Sequence, residues 1–173
     1  MGGFTRYVAV KCCHPHLTAD QQFKDMFLNE AKLAARIHHP NVVPTLDVGE
    51  ADVLYLVMEY VEGERLSAFI QADRARGEWT PVDVTLRIVL DALAGVHAAH
   101  VLTDSEGASL EVIHRDATPQ NIMVGVDGVS RILDFGILLF ALVVLRHQRV
   151  GFEGALDGLH RVGGRAKLPG PGG

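Results

Sequence analysis

Two aspartates and one asparagine stand close together in the sequence, and their side chains could bind a divalent metal and a phosphate. Asp116, Asn121 and Asp134 are set on turns that flank two apolar, strand-like segments, Ile122–Val124 and Ile132–Leu133. A rigid scaffold of this kind would hold the three side chains near one another. Carboxylate and amide oxygens are hard ligands of the type that Mg²⁺ prefers. The stretch therefore predicts a metal and phosphate site.

The order and separation of these residues resemble the catalytic loop and metal-binding turn of protein kinases. Residues 114–121 read H-R-D-A-T-P-Q-N, which matches H-R-D-x-x-x-x-N, and residues 134–136 read D-F-G. On this motif the chain resembles a bacterial serine/threonine protein kinase. The resemblance implies an α+β, two-lobed fold that uses ATP and Mg²⁺ and transfers the ATP γ-phosphate to a hydroxyl group of a protein.

The resemblance also implies a role for each motif residue. Asp116 would orient the substrate hydroxyl and accept its proton, while Asn121 and Asp134 would hold Mg²⁺ against the phosphates. The family usually carries a lysine two residues after the catalytic aspartate, and that position is Thr118 here. Because a hydroxyl cannot replace an ammonium charge beside a phosphate, we expect a lower rate unless another cation substitutes. Two further motif residues match positions that pack inside the family's fold: His114 and Phe135.

A lysine and a glutamate nearer the start of the chain match the family's nucleotide-holding pair. A strand is predicted to end in V-A-V-K at Lys11, and a helix is predicted over Thr18–Ile37 from a capping box and helical apolar spacing. Glu30 lies at the edge of the helix's apolar stripe, where an unpaired carboxylate would be costly. We predict that it pairs with Lys11, which the resemblance makes the ligand of the ATP phosphates. A solvated glutamate and a solvated lysine are the alternatives.

The segment Met58–Gly63 resembles the hinge between the two kinase lobes. It follows two strand candidates, Val42-Val43 and Val53–Val61. An edge strand followed by a turn is the alternative interpretation of the same segment. The positions that the resemblance places against adenine are Met58, the Glu59 carbonyl and the Val61 amide in the hinge, with Ala9 and Met123 on either side of the ring.

Two helices are predicted beyond the hinge. The first runs from Glu64 to about Arg74 and is ended by Gly77, and the second is a long core helix that Thr80-Pro81 caps and opens. A surface loop over Thr103–Ser109 and a strand over Leu110–Ile113 should then lead to the catalytic loop. The apolar stripe of the long helix, which we expect to face the core, is formed by Val82, Leu86, Val89, Leu90, Leu93 and Val96.

The resemblance covers residues 1–137, with a small lobe at about 1–60, a hinge at about 58–63 and part of a large lobe at about 64–137. Only residues 1–10 precede Lys11, which leaves no room for a glycine-rich phosphate loop, and no A-P-E follows D-F-G. Residues 138–173 are predicted to be a tail unlike kinases, apolar and then glycine-rich, partly disordered over Gly163–Gly173. A shifted reading frame or a truncated gene would produce it. We therefore expect a kinase domain truncated at both ends, with little or no activity alone.

Composition limits the compartment and the partners. The 173 residues are 48% hydrophobic and 21% charged, with a net charge of −5 and scattered basic residues, which argues against nucleic acid as a partner. The adjacent Cys12 and Cys13 form neither a C-x-x-C site nor a disulfide framework. The charge-free apolar run at 136–145 is shorter than the roughly 20 residues of a spanning helix. We predict a cytoplasmic protein without a membrane segment, whose partners are ATP and a protein substrate.

Two other functions stay open. A nucleotide-binding, pseudokinase-like remnant or interaction module would keep the hinge and the Lys11–Glu30 pair without performing the chemistry. A small-molecule phosphotransferase of the aminoglycoside type shares an aspartate–asparagine loop and a metal aspartate. The complete H-R-D and D-F-G motifs, together with V-A-V-K, argue against the small-molecule enzyme.

Overall fold

The computed structural model of the protein describes residues 5–13, 20–51, 53–135 and 140–148, the last of these as backbone. The fold is α+β, with two small sheets and three α-helices in the described ranges. The chain also forms a 3-10 turn at Pro119–Asn121. In chain order the elements are β1 (Thr5–Cys13), α1 (Gln21–Ala34), β2 (Thr45–Glu50), β3 (Leu54–Glu59), β4 (Gly63–Arg65), α2 (Leu66–Arg76), α3 (Val82–His100), β5 (Ile122–Gly125), β6 (Ser130–Ile132) and β7 (Phe140–Gln148).

The first sheet has the strand order β2-β3-β1-β7, and its neighbouring strands are antiparallel. Strand β1 pairs with β3 on one side, where Ala9 lies opposite Met58, and with β7 on the other, from Thr5–Gln148 to Cys13–Phe140. Residues of β1 and β3 are buried on both faces of the sheet, as their nearly continuous apolar sequences require. Lys11 therefore stands on an interior strand.

Helix α1 packs on the face of this sheet that Ala9 and Met58 also occupy. It begins later than predicted, because the Asp20 carboxylate caps it by accepting hydrogen bonds from the N–H groups of Gln22 and Phe23. Thr18, the predicted cap, lies outside the described residues. The buried side chains of the helix are Phe27, Ala31 and Ala34.

The second sheet has the order β4-β5-β6, in which β4 precedes α2 in the chain and β5 and β6 follow the catalytic loop. Two strand predictions near it were wrong. Val42 and Val43 make a parallel bridge to β6 through Ile132 rather than a strand of the first sheet, whose edge is β2 instead. Residues 110–113 form no strand either, and the Leu110 N–H donates to the Leu102 carbonyl at 2.9 Å.

Helices α2 and α3 were predicted at the correct places in the sequence. Gly77 ends α2 in the left-handed conformation with φ 68°, as expected of a C-terminal glycine. The predicted capping role of Thr80 was wrong, since its hydroxyl donates to Asp73 of α2 and Pro81 occupies the N-cap without a side-chain bond. Helix α3 ends at His100, and none of the described helices has both the length and the apolar character needed to cross a lipid bilayer.

The predicted core face of α3 was wrong. The residues of α3 that are buried are Ile88, Asp91, Gly95 and Ala99, on the side that meets β6. Gly95 allows this close approach, because an added Cβ would lie 2.4 Å from the Asn41 carbonyl oxygen. Five members of the apolar stripe lie on the opposite side of the helix and are exposed: Val82, Leu86, Val89, Leu90 and Leu93. The sixth, Val96, is half-buried and packs against the core.

The apolar part of the predicted tail contributes β7, which extends the first sheet beyond β1. The sequence pattern allowed a short helix or a strand in this part of the tail, and the structure forms the strand. Residues 163–173, for which disorder was predicted, lie outside the described residues.

Candidate active site

The catalytic loop folds tightly around Asp116 and Asn121. Arg115 adopts a left-handed backbone with φ 63°, and the Asp116 carbonyl accepts the Thr118 N–H at 2.9 Å. The 3-10 turn then brings the Asn121 side chain back, so that its Nδ2 donates to Asp116 Oδ2 at 2.8 Å and to the Asp116 carbonyl at 3.0 Å. Asn121 is buried, and Asp116 is half-buried. The loop thus fixes the carboxylate of Asp116 by a direct side-chain contact.

The metal-binding turn is tied to this loop through the backbone. The Leu133 N–H donates to the Asn121 carbonyl at 2.8 Å, and Asp134 follows in the left-handed region with φ 62°. Lys11 Nζ lies 2.9 Å from Asp134 Oδ2, and only 10% and 14% of the two side chains are exposed. Two hydrogen-bonded loops therefore carry three of the predicted site residues, Asp116, Asn121 and Asp134. Lys11 contacts these loops through its ion pair with Asp134.

Glu30 has a different partner from the one predicted. Its Oε1 lies 3.7 Å from Arg115 Nη1, whereas Lys11 forms its ion pair with Asp134. Burial raises the pKa of Glu30, and the nearby Arg115 lowers it in part. The carboxylate at the edge of α1 does meet a cation, as the cost of burying an isolated charge requires, but that cation comes from the catalytic loop.

The side chains that were predicted to surround adenine are brought together in one apolar cluster. Ala9 and Met58 are buried in it, and Val61 and Met123 pack against it from the hinge and from β5. At the hinge the Glu59 N–H donates to the Pro44 carbonyl at 2.9 Å. A cavity of about 810 Å³ opens beside this hinge and is lined by Arg6, Tyr7, Glu59, Tyr60 and Glu62.

The oxygen donors of the site suit a hard cation such as Mg²⁺. Since Asn121 uses its Nδ2 toward Asp116, its Oδ1 is the atom that can coordinate a metal. Asp134 uses Oδ2 toward Lys11, which leaves Oδ1 for the same purpose. An amide and a carboxylate, completed by phosphate oxygens and waters, form the kind of site in which magnesium is usually held.

His114 connects the catalytic loop to the metal-binding turn. Its Nδ1 accepts the Asp116 N–H at 3.3 Å, so its Nε2 carries the proton and donates to the Leu133 carbonyl at 2.6 Å. Its ring meets that of Phe135 edge to face, with centroids 4.7 Å apart. Burial lowers the pKa of His114, while the bond to the Leu133 carbonyl acts in the opposite direction. In the folded site His114 is therefore a neutral imidazole that carries its proton on Nε2.

Acidification is expected to destabilise the fold through His114. Because its folded-state pKa lies below the ordinary 6.5, the unfolded chain binds the proton more tightly. The contribution of neutral His114 to the free energy of unfolding is complete above about pH 6.5. It is lost as the pH falls through that value toward the folded-state pKa. Urea unfolding across this range should show a smaller pH dependence for His114→Phe than for the native chain. The exposed His38 supplies the control variant, His38→Phe, and an unchanged dependence in His114→Phe would contradict the prediction.

Three buried polar residues that the sequence did not reveal hold β6 in place. Asn41 Nδ2 donates to the Ser130 carbonyl at 2.9 Å, and the Ser130 N–H donates to Asp91 Oδ2 at 3.0 Å. The Ile132 N–H donates to the Asn41 carbonyl at 2.8 Å. These bonds fix the strand that delivers Asp134 to the site. The sequence does contain a signal for this contact. One face of α3, at positions 88, 91, 95 and 99, combines a single acidic residue with small and apolar ones.

Comparison with known proteins agrees with this geometry. The family model described as the protein kinase domain matches residues 4–141, slightly beyond the predicted limit at 137. The tyrosine-protein kinase MasK of Myxococcus xanthus is 40% identical over 136 residues, covering 78% of this chain and 21% of its own length. The serine/threonine-protein kinase PksC of Streptomyces coelicolor is 36% identical over 135 residues, covering 75% and 23%.

Solved structures lead to the same family. The kinase domain of Mycobacterium tuberculosis PknI has a TM-score of 0.62 and 32% identity, over 76% of this chain and 50% of that chain. The chain thus spans about a fifth of the length of the curated relatives named above and half of the solved kinase domain. With the family model matching most of the sequence and the catalytic loop, metal-binding turn and lysine strand in contact, the chain belongs to the protein kinase domain family.

Proposed function

We propose that the site binds ATP with Mg²⁺ and serves the transfer of the γ-phosphate to a serine or threonine hydroxyl of a protein. The observation that carries the proposal is the contact of Lys11 with Asp134 directly beside the Asp116–Asn121 loop. A cation and three hard oxygen-bearing side chains are thereby gathered at one point, as phosphoryl transfer requires.

Each residue's part in the reaction follows from its position. The Asp116 carboxylate, held by Asn121, orients the acceptor hydroxyl and takes its proton. Lys11, on an interior strand, supplies a fixed positive charge for the phosphates. When bound, Mg²⁺ would neutralise phosphate charge, held by Asn121 and Asp134. The apolar cluster formed by Ala9, Met58, Val61 and Met123 receives the adenine, with the Glu59 carbonyl and the Val61 amide as its hydrogen-bonding groups.

The ion pair between Lys11 and Asp134 must open, at least in part, before Lys11 can contact the phosphates of a nucleotide. In the structure the lysine's charge is directed to the metal-binding carboxylate, and Glu30 is paired with Arg115. With nucleotide and Mg²⁺ bound, Asp134 would hold the metal and Lys11 would hold the phosphates, so each residue would exchange the other for a new partner. We propose that Glu30 then becomes the residue that fixes Lys11.

A nucleotide-binding module without catalysis is the second candidate, and Thr118 favours it. Thr118 stands where a phosphate-contacting lysine is usual, so one source of charge stabilisation is missing. The chain also covers only half of the solved kinase domain, so phosphoryl transfer is proposed for the whole protein and little or none for these residues alone. The relatives named above are protein kinases, which favours a protein over a small molecule as acceptor. We place the site in the cytoplasm, where ATP is available and the thiols of Cys12 and Cys13 stay reduced.

ATP binding is expected to depend on Lys11 and on Mg²⁺. Titration calorimetry of the chain with ATP and Mg²⁺ should give a Kd that Lys11→Met raises about tenfold or more, since a buried charge-assisted contact is lost. Lys32, exposed on α1, supplies the matched control Lys32→Met, which should bind as the native chain does. Asp134→Asn should reduce the extent to which Mg²⁺ tightens the binding of ATP.

The same preparations decide between the two candidate functions. Phosphorylation of a basic protein, scored separately for phosphoserine, phosphothreonine and phosphotyrosine and lost in Asp116→Ala, would show that the chain catalyses transfer unaided. ATP binding without such transfer would support the nucleotide-binding module for these residues. An equal Kd for Lys11→Met and the native chain would contradict the proposed site itself.

A further inference from the structure

Strand β7 pairs with the strand that carries Ala9 and Lys11. The pairing is antiparallel and continues along the whole of β1, residues 5–13 with residues 140–148. On its other side β1 pairs with β3 only from Val8 to Cys12. The segment that follows D-F-G in the chain thus returns to the strand that holds the nucleotide-binding lysine.

The register places one row of three residues across the sheet at the level of the proposed adenine site. Ala9 lies opposite Met58 of β3 on one side and opposite Val144 of β7 on the other. Directly opposite residues of antiparallel strands belong to the same face of a sheet. Position 144 is therefore on the face where Ala9 and Met58 join the apolar cluster that Val61 and Met123 complete.

The size of an adenine base makes this position relevant to binding. Neighbouring strands lie about 4.8 Å apart, which is less than the width of a purine. A base that bonds the hinge and lies against Ala9 therefore extends beyond β1. On the β3 side Met58 is only 4% exposed and already fills the space. The base must then extend toward β7.

The sequence of β7 suits contact with a base rather than with phosphates. On the face shared with Ala9, positions 140, 142 and 144 are Phe, Leu and Val. Apolar residues form most of the lining of ligand pockets. These three positions carry neither a glycine nor a cation, so the charge of the phosphates is left to Lys11, which lies opposite Leu142.

We propose that β7 forms part of the nucleotide site, with Val144 beside Ala9 as a contact for the adenine base. The inference rests on the proposed ATP site and adds one strand to its lining. A tail that the sequence predicts to be unlike kinases thereby takes part in binding the nucleotide.

Adenosine tests this contact without involving the phosphates. In titration calorimetry Val144→Ala should raise the Kd for adenosine about fivefold, because methyl groups that cover the base are lost. Val143→Ala is the matched control, since it removes the same atoms from the adjacent residue. Position 143 lies opposite Val10, on the other face of the sheet, and its variant should bind adenosine as the native chain does. Equal Kd values for Val144→Ala and Val143→Ala would overturn the proposal.

Lys11→Met separates this contact from the proposed function itself. It should raise the Kd for ATP and leave the Kd for adenosine unchanged, whereas Val144→Ala should raise both by the same factor. A native chain that binds neither ligand would overturn the proposed site together with the part assigned to β7. A native chain that binds both, with Val144→Ala indistinguishable from it, would overturn only the part assigned to β7.

Amide hydrogen exchange tests the pairing of β7 in the absence of any ligand. Within the described ranges, residues 5–7 have β7 as their only strand partner. The amides among them that are bonded to β7 should therefore exchange slowly, as those of a paired strand do. If all the amides of residues 5–7 exchanged as fast as those of an unstructured peptide, β7 would not lie beside Ala9 and the proposal would be overturned.

Discussion

Gly95→Ala is expected to destabilise the chain by about 2 kcal/mol, although helix propensity alone predicts the opposite sign. Alanine in a helix interior is favoured over glycine by about 1 kcal/mol. At this position, however, the added Cβ would lie 2.4 Å from the Asn41 carbonyl oxygen and 2.9 Å from a methyl group of Ile132. Because the Asn41 carbonyl oxygen belongs to the backbone, it cannot rotate away as a side chain could. Helix α3 must therefore move off β6, and Asp134 two residues beyond Ile132 must move with it.

Urea unfolding followed by circular dichroism measures this effect. Gly128→Ala is the control, since the added methyl group meets no atom within 4 Å and only the positive φ of 76° opposes it. It should cost about 1 kcal/mol, from backbone strain alone. If Gly95→Ala were as stable as the native chain or more so, α3 and β6 could not be packed as closely as described.

Asp91→Ala is expected to lower the free energy of unfolding by about 3 kcal/mol. Asp91 is buried on α3, and its Oδ2 accepts the N–H of Ser130, a residue that is 1% exposed. Alanine would leave this N–H without an acceptor in the interior and would create a small cavity beside it. The loss of the ion pair to Arg87 adds little, since 67% of the Arg87 side chain is exposed.

Three variants separate these contributions in the same unfolding experiment. Asp91→Asn keeps an oxygen for the Ser130 N–H and should recover most of the loss. Arg87→Ala removes only the exposed ion pair and should cost less than about 1 kcal/mol. Asp83→Ala, an exposed aspartate of the same helix, should change stability by a few tenths of a kcal/mol at about neutral pH. Equal losses for Asp91→Ala and Asp83→Ala would contradict the described bond to β6.

The catalytic loop and the metal-binding turn could be predicted from the sequence because their geometry is local. Asp116 and Asn121 are five residues apart and are joined by a direct hydrogen bond, so the motif itself determines the contact. The lysine strand and the segment predicted as the hinge were assigned from equally short patterns, and one apolar cluster contains Ala9, Met58 and Met123. Short-range patterns thus specified most of the candidate site.

The features that the sequence did not reveal depend on residues far apart along the chain. The partner of Glu30 could not be chosen from its own helix, because Lys11 and Arg115 were both available and only the packing of α1 decides between them. The buried face of α3 was misassigned because apolar periodicity identifies a stripe without stating what covers it. Gly95 and Ala99 form the actual contact, and small residues contribute little to such a pattern.

The position of β1 between β3 and β7 has a consequence for how the protein folds as it is synthesised. Its first neighbour, β3, emerges from the ribosome soon after it, but its second neighbour comes from residues 140–148. Until then β1 is an edge strand with one row of unpaired backbone groups, a template for wrong pairing. Closing so long a loop is also entropically slow. The loop that carries Asp116 is therefore complete on the nascent chain before the strand that carries Lys11 is enclosed.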